Sequence, residues 1–232
     1  MVFLIAVDEI MVLAAYYRNG FPVIFGVANL LMKIHLQVSA FFLLSLFLIS
    51  SCKKVVEAVV DHGMNGPKKG ELVEYTIAQG QHYANQSTYQ AVDYDKLEFT
   101  VKFDSSAIYQ TTIPIDQEDI NKLYGFSDNN AEHQQFSARF GWNWARGALR
   151  LYAYVYNNSE RSSREITSIK IGNEYSCSIK VSDDHYIFSA NNITIEMFRS
   201  SKTSRATGYK LYPYFGGDET APHDINIWIK EL

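Results

Sequence analysis

The chain beyond residue 70 is dominated by short segments in which apolar and polar residues alternate. In the segment KLEFTVKF, for example, Leu97, Phe99, Val101 and Phe103 occupy every second position. Because successive side chains of a β-strand point to opposite faces, this period of two predicts strands with one buried face. Comparable segments lie at 72–78, 133–144, 150–157, 165–172, 175–181, 185–190, 192–198, 208–215 and 224–231. Pairs of Asn, Asp or Gly between many of them are typical of turns.

One segment favours a helix, DQEDINKLYG at 116–125. Asp116 suits the N-cap position, acidic residues fill the first turn, and Gly125 suits the position after the last turn. Many strands, one short helix and no regular alternation of strands with helices predict an all-β antiparallel sandwich or barrel over 71–232.

The segment RLYAYVYN at 150–157 indicates which face of its strand is buried. Leu151, Ala153 and Val155, with Leu149 before them, suit the space between two sheets, where side chains interdigitate across about 10 Å. The outward face then carries Arg150, Tyr152, Tyr154 and Tyr156. Tyrosine suits such a face, because its ring is apolar and its hydroxyl needs water or a partner.

Two further stretches add to this outward face. Successive strands of a sandwich are often neighbours, so the 133–144 strand is expected to place Arg139 among the tyrosines of 150–157. Near the end of the chain, Tyr212 and Tyr214 alternate with apolar residues in the same way. The sequence therefore predicts a surface rich in tyrosine and arginine on one sheet.

The N-terminal residues contain a predicted targeting signal. Residues 41–51, FFLLSLFLISS, form an apolar run that follows a lysine and ends directly before Cys52. The run is shorter than the roughly 20 apolar residues of a comfortable membrane span, which predicts a secretory signal at 32–51. Residues 1–31 are interpreted as the product of a misplaced upstream start, with a real extra transmembrane helix as the alternative, and 52–70 as a tether.

The sequence ISSC that ends at Cys52 resembles the lipobox of bacterial lipoproteins. The resemblance implies cleavage before Cys52, acylation of its thiol, and a lipid-anchored location in the cell envelope, at the outer membrane or the cell surface. Each buried methylene of the acyl chains contributes roughly 0.8 kcal/mol to such anchoring. The alternative is an uncleaved N-terminal anchor helix that contains Cys52 by chance.

Charge and cysteine content narrow the classes of function. The formal net charge is −4, without a basic stripe or a block of like charge, which argues against a nucleic-acid partner. Cys177 lies in an alternating apolar segment, so it is expected to be a small buried residue that forms neither a disulfide nor a zinc site. The oxygen-rich loops 127–133 and 216–224 leave calcium open, although neither has the spacing of a known calcium loop, and no cofactor is expected.

A lipobox followed by an all-β domain that ends in LYPYFGG and APHDI resembles surface lipoproteins of Bacteroidetes-type bacteria. Their domains are similar to the concanavalin A-like jelly roll of lectins, glucanases and polysaccharide lyases. The resemblance covers roughly 71–232 and implies a two-sheet jelly roll that holds carbohydrate on its concave sheet. Because this fold hosts all three functions, it implies no single activity.

Candidate chemistry separates the enzyme classes. A retaining glycosidase needs two carboxylates about 5–5.5 Å apart, and no strand segment carries two acids on one face. A lyase that β-eliminates at a uronic acid needs a group that neutralises the carboxylate, a base and an acid. Arg139, His82 and Tyr154 are the candidates for these roles. The Arg-rich and Q.H strings that are typical of such lyases are absent.

The favoured hypothesis is a lipid-anchored envelope protein that binds carbohydrate, in particular acidic glycan, without processing it. The candidate ligand-binding residues are Arg139, Arg150, Tyr152, Tyr154, Tyr156, Tyr212 and Tyr214. A polysaccharide lyase is the first alternative. A structural or interaction lipoprotein is the second, in which the tyrosines either pack under the 104–130 segment or contact another protein.

Overall fold

The computed structural model describes residues 69–232. Their strands are β1 Leu72–Ile77, β2 Ala91–Tyr94, β3 Lys96–Phe103, β4 Asn121–Ser127, β5 Phe136–Ala145, β6 Ala148–Asn157, β7 Glu160–Ile169, β8 Glu174–Val181, β9 His185–Ala190, β10 Ile193–Phe198, β11 Ala206–Leu211 and β12 Ile225–Glu231. They form two six-stranded sheets, the first in the order β1-β12-β3-β8-β9-β10 and the second in the order β2-β11-β4-β5-β6-β7. All strand pairs are antiparallel, which confirms the predicted two-sheet sandwich.

The expectations for the N-terminus concern residues that lie outside the described part. These are the upstream segment 1–31, the signal 32–51, the lipidation site Cys52, and the tether up to residue 68. Within 69–232, no helix is both long enough and apolar enough to cross a membrane.

The core lies between the two sheets. On β6, Leu149, Leu151, Ala153 and Val155 are fully buried, as the alternation predicted. Across the interface, the ring of Phe140 packs edge-on against Phe99 and Phe188 of the first sheet, at centroid distances of 5.5 and 5.3 Å. Trp142 is buried as well, and Cys177 is a buried free thiol, as expected.

The predicted helix at 116–125 is wrong. Its first residues fall in a short 3-10 helix, Pro114–Glu118, and the rest form β4. A bulge between Lys122 and Gly125 interrupts the pairing of β4 with β5, so both Leu123 and Tyr124 are buried and the period of two is lost from the sequence. Gly125 is not a helix stop, because it lies inside the strand, where a Cβ would overlap with the Ala138 carbonyl oxygen.

Two connecting segments border the outward face of the second sheet. In the loop 79–90, Ala84 donates its N–H to Pro213 at 3.2 Å, and the Asn85 carboxamide accepts from the N–H of Thr76 at 2.8 Å. In the segment 109–120, the Gln117 amide donates to the Trp144 carbonyl at 2.6 Å. Both segments are therefore held in place by hydrogen bonds.

Candidate functional site

The second sheet carries a cavity of about 660 Å³ on its outward face, which we call the tyrosine cavity. Its walls contain Tyr83, Tyr89, Tyr154, Tyr156, Tyr209, Tyr212 and Tyr214. Its basic lining residues are Lys122, His133, Arg139, Arg161 and Lys210. None of the lining residues is Asp or Glu. The tyrosine cavity thus combines aromatic walls with positive charge.

Arg139 lies at the floor of the tyrosine cavity. It is on β5, where it pairs with Gly125 on one side and Tyr154 on the other. Only 7% of the residue is exposed, and its buried Nε has no hydrogen-bond partner. Its guanidinium carbon lies 5.5 Å from the centroid of the Tyr154 ring. Burial lowers the pKa of Arg139, but a guanidinium keeps its charge in a protein, so a buried cation remains with an unused donor.

Lys122 of β4 lies over the same ring, with Nζ 5.1 Å from the Tyr154 centroid. Burial lowers the pKa of Lys122 to about 8, the charges of Arg139 and Arg161 lower it further, and Asp119 opposes them. Among the described residues, neither Lys122 nor Arg139 forms an ion pair. Two positive groups without a counter-ion therefore share one aromatic ring.

Lys210 differs from these two cations. Its Nζ lies 2.6 Å from a carboxylate oxygen of Glu231, inside the sandwich. The same carboxylate accepts hydrogen bonds from Tyr94 and Tyr124. The charge of Lys210 is therefore compensated within the fold and is not available to a ligand.

Tyr154 and Tyr156 line the tyrosine cavity from β6, and Tyr154, which is only 2% exposed, belongs to its floor. Their ring centroids are 5.8 Å apart, with the rings inclined at 64°. Burial raises the pKa of Tyr154 to about 12, and its interaction with Tyr156 adds to this, while the charge of Arg139 opposes it. At neutral pH Tyr154 is therefore a neutral phenol next to the Arg139 cation.

Small residues make room for this floor. The outward residues of β5 around Arg139 are Ser137 and Gly141, at the alternate positions. A Cβ at Gly141 would overlap with Ile120, and one at Gly125 would overlap with Arg139 itself. Ser137 is fully buried and its hydroxyl has no partner, so a second unused polar group lies two residues from Arg139 on the same strand face.

Two aromatic clusters form parts of the rim. In the first rim cluster, His82 stacks on Tyr214 at 5.2 Å, and Tyr83 meets Tyr214 edge-on at 4.9 Å. In the second rim cluster, Tyr89 packs on Tyr209 at 5.8 Å, and His133 Nδ1 lies 2.9 Å from the Tyr209 hydroxyl. Tyr83 and Tyr89 are 70% and 77% exposed, which is unusual for large rings.

The predicted site residues divide into two groups. Arg139, Tyr154, Tyr156, Tyr212 and Tyr214 line the tyrosine cavity, and β5 pairs with β6 as expected. Tyr212, however, presents little surface there, because its ring packs on Tyr75 at 5.8 Å and on Tyr124 at 6.0 Å in the core.

Arg150, Tyr152 and His82 do not line the tyrosine cavity. Arg150 is engaged with Glu165 at 2.7 Å. Tyr152 is 7% exposed and donates to Asn143 at 3.1 Å, and Asn143 in turn donates to the Glu118 carbonyl in the 109–120 segment. The alternative in which the 104–130 segment covers the tyrosines therefore applies to this end of the face. His82 uses Nδ1 to donate to the Phe215 carbonyl at 2.8 Å and supports Tyr214 from behind.

Sequence reasoning missed several lining residues. Lys122 was hidden by the false helix, since its strand has no clean alternation. Tyr83 and Tyr89 lie in the loop 79–90, where no periodicity marks a face. Tyr209 lies two residues before Leu211, so strict alternation in the segment 208–215 puts it on the face opposite to Tyr212 and Tyr214, although all three line the tyrosine cavity.

Acidic residues of the oxygen-rich loops 127–133 and 216–224 form contacts within the fold. Asp128, in the loop 127–133, forms a fully buried ion pair with Arg199 at 2.8 Å and accepts from Tyr186 at 2.6 Å. Glu219, in the loop 216–224, accepts the backbone N–H groups of Thr112 and Ile113. Within residues 69–232, no group of three or more His, Cys, Asp or Glu side chains is placed to hold a metal ion.

No family model matches the chain, and no curated protein matches it. Among solved structures, an alginate lyase from a Chlorella virus is 12% identical with a TM-score of 0.44, over 69% of this chain and 82% of that one. A glycoside hydrolase family 16 endo-glucanase from Bacteroides ovatus is 14% identical with a TM-score of 0.47, over 69% and 80%. An alginate lyase from Klebsiella pneumoniae is 15% identical with a TM-score of 0.46, over 61% and 60%. Similarity at this level does not assign an activity to the chain.

Proposed function

We propose that this protein binds acidic glycans in the tyrosine cavity. The observation that carries the proposal is Arg139, a buried cation with an unpartnered Nε and no ion pair in the described chain. Leaving a buried charge uncompensated costs about 3–5 kcal/mol, so such a group is expected to have a partner when the protein works. An anion from outside the chain supplies that partner.

The second cation and the absence of acids support an anionic ligand. Lys122 lies over the same ring as Arg139, and the lining contains no carboxylate that would repel an anion. A guanidinium edge can hold a carboxylate or a sulfate through two parallel hydrogen bonds. Ser87, Thr88 and Gln134 also line the cavity and add neutral polar groups that suit sugar hydroxyls.

The aromatic walls support a sugar over a small inorganic anion. A cavity of about 660 Å³ is larger than a single anion needs, and its lining includes the exposed rings of Tyr83 and Tyr89. Tyrosine rings offer apolar faces to the C–H groups of a pyranose, while their hydroxyls remain free to hydrogen-bond. A uronic acid or a sulfated sugar carries both complementary features in one unit.

A polysaccharide lyase is the second candidate, and Lys122 is the observation that favours it. In β-elimination, a base removes the C5 proton, a double bond forms between C4 and C5, and the C4–O bond breaks, with a proton supplied to the leaving oxygen. A lysine whose pKa is about 8 is partly unprotonated near neutral pH and can act as such a base. Arg139 would then neutralise the carboxylate, and Tyr154 would supply the proton. His82 fits the base role less well, because its Nδ1 is engaged and it lies outside the cavity lining.

A binding assay with a matched control tests the proposal. We expect wild-type protein to bind alginate, polygalacturonate or chondroitin sulfate in preference to neutral laminarin, with affinity that falls as salt rises. Arg139→Gln should weaken acidic binding by roughly 10- to 100-fold, since a charge-assisted hydrogen bond contributes about 1.5–3 kcal/mol. Arg150→Gln, which changes an arginine that is already paired, should bind like wild type.

The outcomes separate the candidates. Equal binding of acidic and neutral polymers, or an Arg139→Gln variant that binds like wild type, would show that the proposal is wrong. Release of unsaturated products that absorb in the ultraviolet would favour the lyase over the binder. In that case Lys122→Met should stop product release but leave measurable polymer binding.

Lipid anchoring at Cys52 is the second part of the proposal, supported by the apolar run that ends in ISSCKK. Labelled palmitate should be incorporated into the wild-type chain when it is expressed in bacteria, and should be absent from Cys52→Ala. The matched control is Cys177→Ala, which removes the buried thiol and should label like wild type. Labelling of Cys52→Ala at the wild-type level would rule the anchor out.

A further inference from the structure

The rim tyrosines have features that binding of a single acidic sugar does not explain. Tyr83 and Tyr89 are 70% and 77% exposed, whereas Tyr154 at the cavity floor is 2% exposed. Each packs on another tyrosine of the lining, Tyr83 on Tyr214 and Tyr89 on Tyr209. Most of both rings therefore faces outward.

The loop that carries these two rings is held firmly. Tyr83 forms an isolated β-bridge with Tyr214, and the next residue, Ala84, donates to the Pro213 carbonyl at 3.2 Å. Asn85 accepts from and donates to Thr76, and Ser87 closes a turn onto Ala84 at 2.9 Å. Because the backbone is fixed on both sides, the exposed rings are preorganised and need little ordering when a ligand arrives.

The two rim clusters lie on either side of the cation floor. Tyr209 and Tyr214 are five positions apart in a largely extended part of the chain, which corresponds to ~16 Å. Burial raises the pKa of Tyr209 and of Tyr214, and the charge of Arg139 opposes the rise in each. Arg139 therefore lies within electrostatic reach of both rim clusters, while the clusters themselves are further apart than one sugar ring can bridge.

We propose that the tyrosine cavity recognises an acidic oligosaccharide rather than a single acidic sugar, with one charged unit on Arg139 and Lys122 and neighbouring units stacked on Tyr83 and Tyr89. This inference rests on the proposed function and adds a chain-length requirement to it. The partner is an acidic glycan chain of at least three units, since one unit occupies the floor and one lies on each rim ring.

Titration calorimetry with size-defined oligomers tests the requirement. The probes are mannuronate and galacturonate oligomers of one to five units at constant ionic strength. For the wild type, affinity should rise at least tenfold from the monomer to the tetramer. Tyr83→Ala and Tyr89→Ala should each lower tetramer affinity on the order of fivefold, as expected for loss of one stacked ring, and should leave monomer affinity unchanged.

Two further variants serve as controls. Phe198→Ala truncates a ring that is 61% exposed on β10 of the other sheet, and it should bind like wild type. Tyr83→Phe keeps the ring and loses the hydroxyl, so it should retain tetramer affinity. If Tyr83→Phe loses as much affinity as Tyr83→Ala, ring stacking is not the interaction and the inference is overturned.

Different results would overturn the chain-length requirement and the proposed binding of acidic glycans. A monomer that binds as tightly as the tetramer, or rim variants that change monomer and tetramer binding equally, would overturn the chain-length requirement while acidic binding stands. Failure of every acidic polymer and oligomer to bind the wild type would overturn the proposed function itself, and the requirement with it.

Discussion

At the scale of single residues, Arg139 lies in an environment that disfavours its charge. It is 7% exposed, its Nε has no partner, and the nearest group that compensates it is the face of the Tyr154 ring. A cation over an aromatic face gains about 0.5–2 kcal/mol, which is less than the cost of burying an unpaired charge. The imbalance is the physical reason to expect an anionic ligand at this position.

Lys122 makes the same site sensitive to pH. Burial and the charges of Arg139 and Arg161 hold its pKa at about 8, against the opposing charge of Asp119, and the Tyr154 ring faces it. Below pH 8 the ammonium is present and attracts an anion. As the pH rises through 8 the charge is lost, so affinity for an acidic oligomer should fall.

Calorimetry between pH 6 and 9.5 checks this expectation, and Lys122→Met should abolish the pH dependence. Lys180→Met, at an exposed position of β8 in the other sheet, should keep it. Affinity that is constant across this range in wild type, or an unchanged profile in Lys122→Met, would remove Lys122 from the site.

The sequence could predict Arg139 but not its isolation. Alternation in FSARFGW places Arg139 opposite Phe140 and hence on the outward face, and this is confirmed. Arg150 follows the same rule on the neighbouring strand, yet it finds Glu165 across the sheet. Whether an outward arginine is paired depends on the register between neighbouring strands, which shifts between β6 and β7 at Leu151 and Tyr152. A single sequence does not contain that information.

At the scale of elements, strands with clean alternation were predictable and irregular ones were not. β3, β5 and β6 have a period of two in their sequences because each directs one face into the core between the sheets, although the outward residues of β5 and β6 are largely buried as well. β4 carries the bulge next to Lys122, so its buried residues fall at consecutive positions and local helix signals dominate. Pairing with β5 and β11 outweighed those weak local preferences.

The loops set the outline of the site, and they are the elements that pattern reasoning describes least. The 109–120 segment covers Tyr152, and the loop 79–90 adds two exposed rings at the other part of the face. Hydrogen bonds to distant strands fix both segments, for example Gln117 to Trp144. Such contacts form only in the complete fold, so they could not be predicted from the sequence. The structure therefore has a smaller and more charged cavity in place of the predicted tyrosine face.

At the scale of the whole molecule, the two sheets have different roles. Both contribute to one apolar core, and the outward face of the second sheet combines glycine, tyrosine and cations without an ion pair among the described residues. The first sheet completes the core and, through Glu231, neutralises Lys210. The fold is therefore stabilised by the interior, while Arg139 and Lys122, desolvated and without an ion pair in the described chain, are expected to reduce its stability, a cost that the proposed binding of an anion would offset.

That division can be measured by equilibrium unfolding of wild type and Arg139→Met, each with and without an acidic oligosaccharide. Without ligand, Arg139→Met should match the wild-type free energy of unfolding within about 1 kcal/mol or exceed it, because an unpaired buried charge is replaced by an apolar side chain of similar length. Ligand at a hundred times its Kd should stabilise the wild type by about 2.7 kcal/mol and the variant hardly at all. A variant that loses several kcal/mol without ligand, yet gains as much from the oligosaccharide as wild type does, would contradict the account, because Arg139 would then serve the fold and not the ligand.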